Sequence, residues 1–185
     1  FRQQQQTIQM TSQELFSVLP QNAVLIDFMV YNDFSPAGEG ETEERREQRL
    51  LAFVIRSNSS IVRIDMGPIG PLGELIDEWR KQSRYPVGLL GQDHPGVALR
   101  KLLWEPLEAS LVGAETVLIS PDGPLCRFPF AALPGQGPDT FLIEERAIAV
   151  IPVPQLLPQL LASANTNEAP LSGGESLLLV GAVDY

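Results

Sequence analysis

A single cysteine and a single histidine are the residues in this 185-residue chain that nucleophilic chemistry would use. A cysteine nucleophile acts as its thiolate and needs an imidazole or another positive group within hydrogen-bond reach. Cys126 lies between Leu125 and Arg127, just past the turn Ser120-Pro121-Asp122-Gly123. Arg127 would favour the thiolate wherever the two side chains face one another. His94 lies in the loop Gln92-Asp93-His94-Pro95-Gly96, where Asp93 and His94 read as preparation for the next helix start. Any two singletons pair on paper, and the sequence around these two favours structural roles. One cysteine with one histidine also excludes a histidine/cysteine-rich zinc site built from this chain alone. The glutamates between Glu39 and Glu47 lack the alternating spacing of a calcium loop and read as a solvated tip. Gly181-Ala182-Val183 lacks the G-x-G-x-x-G spacing of a dinucleotide site, and no cofactor is expected.

Composition narrows the function classes. Hydrophobic residues make up 44% and charged residues 19%, the balance of a chain with a real core. The net charge of −10 repels phosphate backbones, and the one Arg45-Arg46 pair is interleaved with glutamates, so nucleic acid is not an expected partner. No apolar run approaches the ~18 residues of a membrane span, and no secretory signal precedes the first element. The lone cysteine excludes an internal disulfide and fits a reducing, cytoplasmic setting. The chain starts at Phe1 instead of a methionine, as expected of a processed or partial chain.

The elements that would position such residues follow from pattern. Thr11-Ser12-Gln13-Glu14 offers a capped helix start, with Leu15, Phe16 and Leu19 on one face and Pro20 at the end. Ala23 to Tyr31 is a nearly continuous apolar run that reads as a central strand, and 32–48 as a polar excursion. Leu50–Arg56 and Ile61–Met66 form a hairpin with one wet face. Leu72, Leu75, Ile76 and Trp79 mark an amphipathic helix over 71–83. Leucines at 99, 103, 107 and 111 mark another over 97–111, kinked near Trp104 by Pro106.

Residues 115–134 predict a buried strand at Thr116–Ile119, the Ser120–Gly123 turn, and a second apolar arm through Phe128 and Phe130, together a hairpin-like unit. Arg146–Pro152 reads as a strand, Pro154–Ala162 as a Leu-rich helix, 163–175 as a linker, and Ser176–Gly181 as a buried strand. Alternating strands and helices indicate an α/β fold with a mixed sheet.

These words and their order resemble the N-terminal part of a CHAT domain, a caspase/separase-like cysteine peptidase module of bacteria that often follows tetratricopeptide repeats. The residues that carry the resemblance are Leu102-Leu103-Trp104-Glu105-Pro106-Leu107, Val117-Leu118-Ile119-Ser120-Pro121-Asp122-Gly123-Pro124-Leu125 and Phe128-Pro129-Phe130-Ala131-Ala132-Leu133-Pro134. Phe141-Leu142-Ile143-Glu144-Glu145 and Leu177-Leu178-Leu179-Val180-Gly181 continue it, and Leu51–Ile55 with Val62–Gly67 looks like the family's early hairpin. The resemblance thus runs through nearly the whole chain, departing at Cys126, where the family usually has a histidine.

The resemblance implies a caspase-like mixed sheet flanked by helices, in which a pseudo-protease half precedes the half with the catalytic histidine and cysteine. Both catalytic motifs follow the element matching Leu177–Gly181, so no catalytic residue is carried onto this chain. The implied division is a lead-in helix at 1–20, a pseudo-protease domain at 21–162, a linker at 163–175, and the first strand of the next half at 176–185. Asp184, just past that strand, would help to shape a pocket for a basic P1 side chain in such a fold. Expected partners are the C-terminal catalytic half, on the same or an associated chain, a protein substrate or regulator, and upstream tetratricopeptide repeats. The alternatives are a non-catalytic interaction module of the same fold, and an unrelated ligand-binding domain with a fully parallel sheet and a pocket closed by Gly91–Gly96.

Overall fold

The apolar run that starts at Ala23 forms β1 (Ala23–Ser35), the middle strand of the sheet, in the computed structural model, which describes residues 10–35, 45–57, 61–82, 94–137 and 140–166. The remaining strands are β2 (Arg45–Arg56), β3 (Val62–Pro68), β4 (Thr116–Ser120) and β5 (Ala147–Val150), in the order β3-β2-β1-β4-β5. β2 pairs antiparallel with β1 and with β3, whereas β4 is parallel to β1 and to β5. The sheet is therefore mixed and flanked by helices, as expected of an α/β fold. It does not match the fully parallel alternative.

β1 and β2 are longer than hydrophobicity alone predicts. The two ends of the expected polar excursion at 32–48 continue the ladder instead, with Asn32 opposite Gln48, Asp33 opposite Glu47 and Phe34 opposite Arg46, whereas 36–44 lie outside the described residues. Cross-strand chemistry replaces apolar patterning in this arm. The Arg46 guanidinium lies 5.4 Å from the Phe34 ring centre. Arg49 donates to Asp65 of β3 at 2.8 Å and to Glu47 at 3.2 Å.

Each sheet face has its own core. Val24, Ile26 and Phe28 of β1, with Leu50, Ala52 and Val54 of β2 and Val117 and Ile119 of β4, form one face. Over it pack α2 (Ile69–Gln82) and a composite helix from Pro95 to Leu111. That helix is α3 (Pro95–Leu99), a π-turn (Arg100–Trp104), α4 (Glu105–Glu108) and a 3₁₀ turn (Ala109–Leu111). The kink expected near Trp104 takes the form of that wide turn: the Glu105 N–H reaches back to the Arg100 carbonyl, and Pro106 has no N–H to continue the regular ladder. Leucines four apart would drift about 40° per step around a 3.6-residue helix. The wide turn lowers the rotation per residue, and Leu99, Leu103, Leu107 and Leu111 are all fully buried.

The opposite face is covered by α1 (Ser12–Val18) and α6 (Leu157–Thr166), which bury Leu15, Leu19 and Leu157 against Leu25 and Ile55. Thr11 is the N-cap of α1: its hydroxyl accepts from the Glu14 N–H at 3.3 Å and the Glu14 carboxylate accepts from the Thr11 N–H at 2.7 Å. α6 runs through Thr166, so the first residues of the expected linker are helical. The strand expected at Ser176–Gly181 lies outside the described residues.

The hairpin-like unit does not form. After β4 the chain makes 3₁₀ turns at Gly123–Arg127 and Phe130–Ala132, and both neighbours of β4 are parallel strands. Leu125, Phe128, Phe130 and Leu133 are all buried, and the three-residue spacing of Leu125–Phe128 and Phe130–Leu133 suits a tight helical path instead of a strand. Pro124 and Pro129 withhold the N–H groups that a ladder would need. Phe130 stacks on Phe28 at 5.6 Å, and Phe128 meets Trp79 and Phe130 edge-on at 5.3 Å each, which ties this segment to β1 and α2. The segment Leu142–Glu145 is a short helix, α5.

Candidate functional site

In open α/β sheets the groups that do chemistry gather past the carboxyl ends of parallel strands. Here that place is the end of β4, where Ser120 stands beside Asp27 in the parallel register and β1 continues beyond. The chain turns at Pro121, and Asp122 fixes the turn. One carboxylate oxygen accepts from its neighbour Gly123 N–H at 2.8 Å; the other accepts from the Val30 N–H of β1 at 2.7 Å. Gly123 has φ of +56°, a conformation natural to glycine, and a Cβ there would lie 2.9 Å from a Val30 methyl. The Pro-Asp-Gly sequence thus seals the edge of β1 where β4 stops.

Asp27 is half-buried. Burial pushes its carboxyl above the ordinary aspartate range; a hydrogen bond from the Ser120 hydroxyl works against that shift, and the Asp122 charge adds to it. Ser120 itself is buried. Asp27 lines a cavity of about 170 Å³ between the sheet, α1 and the 3₁₀ turn (Pro154–Leu156) that precedes α6. Met10, Leu15, Ile55 and Pro154 give it apolar walls, and Thr11 and Gln155 add polar groups. This carboxyl was not singled out by sequence reasoning. The available signal was an acid breaking an otherwise apolar strand, Leu25-Ile26-Asp27-Phe28-Met29.

The residues that sequence did single out are not brought together. His94 is the N-cap of α3: its Nδ1 accepts from the Gly96 N–H at 3.1 Å, the structural role its neighbours predicted. Cys126 is exposed, and its thiol donates weakly to the Pro121 carbonyl at 3.5 Å. No hydrogen bond joins the two. Arg127, the cation beside Cys126, pairs with Asp77 of α2 at 3.0 Å. Asp184 lies outside the described residues. The end of β4 offers a hydroxyl and two carboxyl groups with neither imidazole nor thiol between them, an arrangement that can bind a donor or a cation but does not make a nucleophile–base pair.

Among the described residues, no three histidine, cysteine, aspartate or glutamate side chains are placed to share a metal ion, and no helix is long and apolar enough to cross a membrane. No curated protein and no solved structure matches the chain. The family model for the CHAT domain matches residues 93–184, a span that takes in the composite helix, β4, the Pro-Asp-Gly turn and β5. The early hairpin at 51–67, also part of the resemblance, precedes that span. Through residues 93–184, the chain belongs to the CHAT domain family.

Proposed function

We propose that this chain is the N-terminal, non-catalytic part of a CHAT-type caspase-like cysteine peptidase. In this reading residues 21–162 are the pseudo-protease scaffold, and the histidine and cysteine that cut peptide bonds lie C-terminal to Tyr185, on the same or an associated chain. The observation that carries the proposal is that the chain's own candidate groups are spent on structure. His94 caps a helix and Asp122 ties β4 to β1. Cys126 faces solvent with no imidazole bonded to it.

The scaffold needs a surface for its catalytic half. Among the described residues β5 is an edge strand, and Ile143, Val150 and Val153, on or flanking it, are 62%, 58% and 43% exposed. Exposed apolar side chains beside an unpaired strand edge are the usual sign of a contact surface. We assign that edge to the catalytic half, with a protein substrate or regulator and upstream tetratricopeptide repeats as further partners.

The test is cleavage of a fluorogenic peptide library by the 185-residue chain alone and by a chain extended past Tyr185. Activity is expected only in the extended chain and is expected to survive Cys126→Ser. Cleavage by the 185-residue chain, abolished by Cys126→Ser, would overturn the proposal.

A further inference from the structure

The 170 Å³ cavity beneath α1 combines three features whose joint chemistry neither the family assignment nor the proposed function uses. Its walls are aliphatic, from Met10, Leu15, Ile55 and Pro154. On its lining stands the Asp27 carboxyl, half-buried on β1. Among the described residues Asp27 forms no salt bridge with a basic side chain; its partner is the Ser120 hydroxyl, and its nearest charge of note is another negative one, Asp122. A carboxylate offers about four lone-pair sites, so one hydrogen bond from Ser120 leaves most of its accepting capacity free. The volume is roughly that of five or six waters in the liquid, enough for an aliphatic stem of several carbons with a terminal nitrogen.

We propose that this cavity is a binding site for an alkylammonium group, seated with its stem against Met10, Leu15, Ile55 and Pro154 and its nitrogen on the Asp27 carboxylate. The Thr11 and Gln155 side chains supply polar groups on the same lining. The physical logic is pairing: a half-buried carboxylate has lost part of its hydration, and a cation seated beside it restores that stabilisation while burying its own methylenes against the apolar walls. A neutral ligand of the same shape gains only the second part. Burial and the Asp122 charge hold the carboxyl above the ordinary range, and an arriving cation draws it back down. Two sources carry this group, a free small amine and the side chain of a lysine in a peptide. The site does not depend on whether the chain scaffolds a peptidase.

The experiment is methyl NMR on the full 185-residue chain, following the methyl groups of Met10 and Ile55 during titration with n-butylammonium, with n-butanol as the neutral isostere. A parallel titration with acetyl-Gly-Lys-Gly-amide tells the two sources apart. Saturable shifts are expected with n-butylammonium and at least tenfold weaker ones with n-butanol. Asp27→Asn, which keeps the shape and a hydrogen-bond acceptor for Ser120, is expected to weaken ammonium binding at least tenfold. Gln155→Trp, on the cavity lining, is a second variant expected to weaken it by occlusion without touching the carboxyl. Saturation by the peptide as well assigns the site to lysine side chains; saturation by n-butylammonium alone assigns it to small amines. No saturable shift with either cation, equal shifts with n-butanol, or unchanged binding in Asp27→Asn would overturn the proposal.

Discussion

Asp27 and Asp122 are both carboxylates at the end of β4, and their surroundings give them opposite roles. Asp27 is held above the ordinary aspartate range by burial, with the Asp122 charge adding and the Ser120 hydrogen bond opposing. A raised native pKa means that the folded chain holds its proton at a pH where the unfolded chain has released it. The contribution to stability is therefore fully present below the ordinary aspartate pKa and is lost as pH rises through the raised one. Asp27→Asn removes that loss. Its melting temperature is expected to exceed that of the parent chain at pH 7, and the gap to close below about pH 4. A gap that stays constant across the range would show that Asp27 does not titrate in this way. Asp122, by contrast, is spent on two backbone N–H groups. Asp122→Ala leaves the Val30 N–H without its partner, at an expected cost of about 1–3 kcal/mol. Gly123→Ala puts a methyl 2.9 Å from Val30 at a positive φ, also at an expected cost of about 1–3 kcal/mol. Urea unfolding midpoints check both.

At the scale of elements, the composite helix ends in a way that sequence did not announce. Its last carbonyls have no helical partners, and two distant arginines supply the donors. Arg56 of β2 donates to the Ser110 carbonyl at 2.9 and 3.1 Å and to the Val112 carbonyl at 2.6 Å. Arg146, just before β5, donates to the Leu111 carbonyl at 2.7 Å and to the Ala114 carbonyl at 3.2 Å. Gly113, at φ of +77°, lets the backbone turn between them. Positive side chains at a helix carboxyl end also meet its partial negative charge. Arg146→Ala is expected to destabilise the fold by about 1.5–3 kcal/mol, and Arg146→Lys to recover only part of that because the shorter, more flexible lysine stem loses more freedom in placing its ammonium between the two carbonyls.

What could be read in advance here, and what could not, has a common cause. Apolar spacing revealed β1, the hairpin of β2 and β3, α2 and the leucine stripe, because burial writes itself into periodicity. Pro106 announced a break in the helix, because a missing N–H is local. The polar arm of β1 and β2 is held by Arg46 over Phe34 and by Arg49 on Asp65, contacts that exist only after the strands pair. The carbonyl partners of Arg56 and Arg146, and the burial of Asp27, likewise depend on residues far away in sequence. The Pro-Asp-Gly turn was legible as a turn, but its function as a plug on Val30 was not.

Across the whole molecule the two faces of the sheet carry unequal cores. The face under α2 and the composite helix buries 22 clustered hydrophobic residues, and the face under α1 and α6 buries 7, both among the described residues. The stability of a region follows its buried apolar contacts, so the two layers should not open together. The small core contains Leu15 and Leu19 from the N-terminal helix and Leu157 from the last described one, two elements that meet each other as well as the sheet. Removing α1 and α6 from the sheet exposes Leu25 and Ile55 but leaves every strand pairing and the larger core in place. Native-state hydrogen exchange is therefore expected to show α1 and α6 opening as one unit at a lower free energy than β1, β2 and β4. Leu157→Ala, which removes a buried leucine from the small core at an expected cost of about 2–5 kcal/mol, should lower protection in α1 as well as in α6 while exchange in β4 follows only global unfolding. Uniform loss of protection across all strands would instead make the two cores one cooperative unit, with the covering helices as much a part of the scaffold as the sheet.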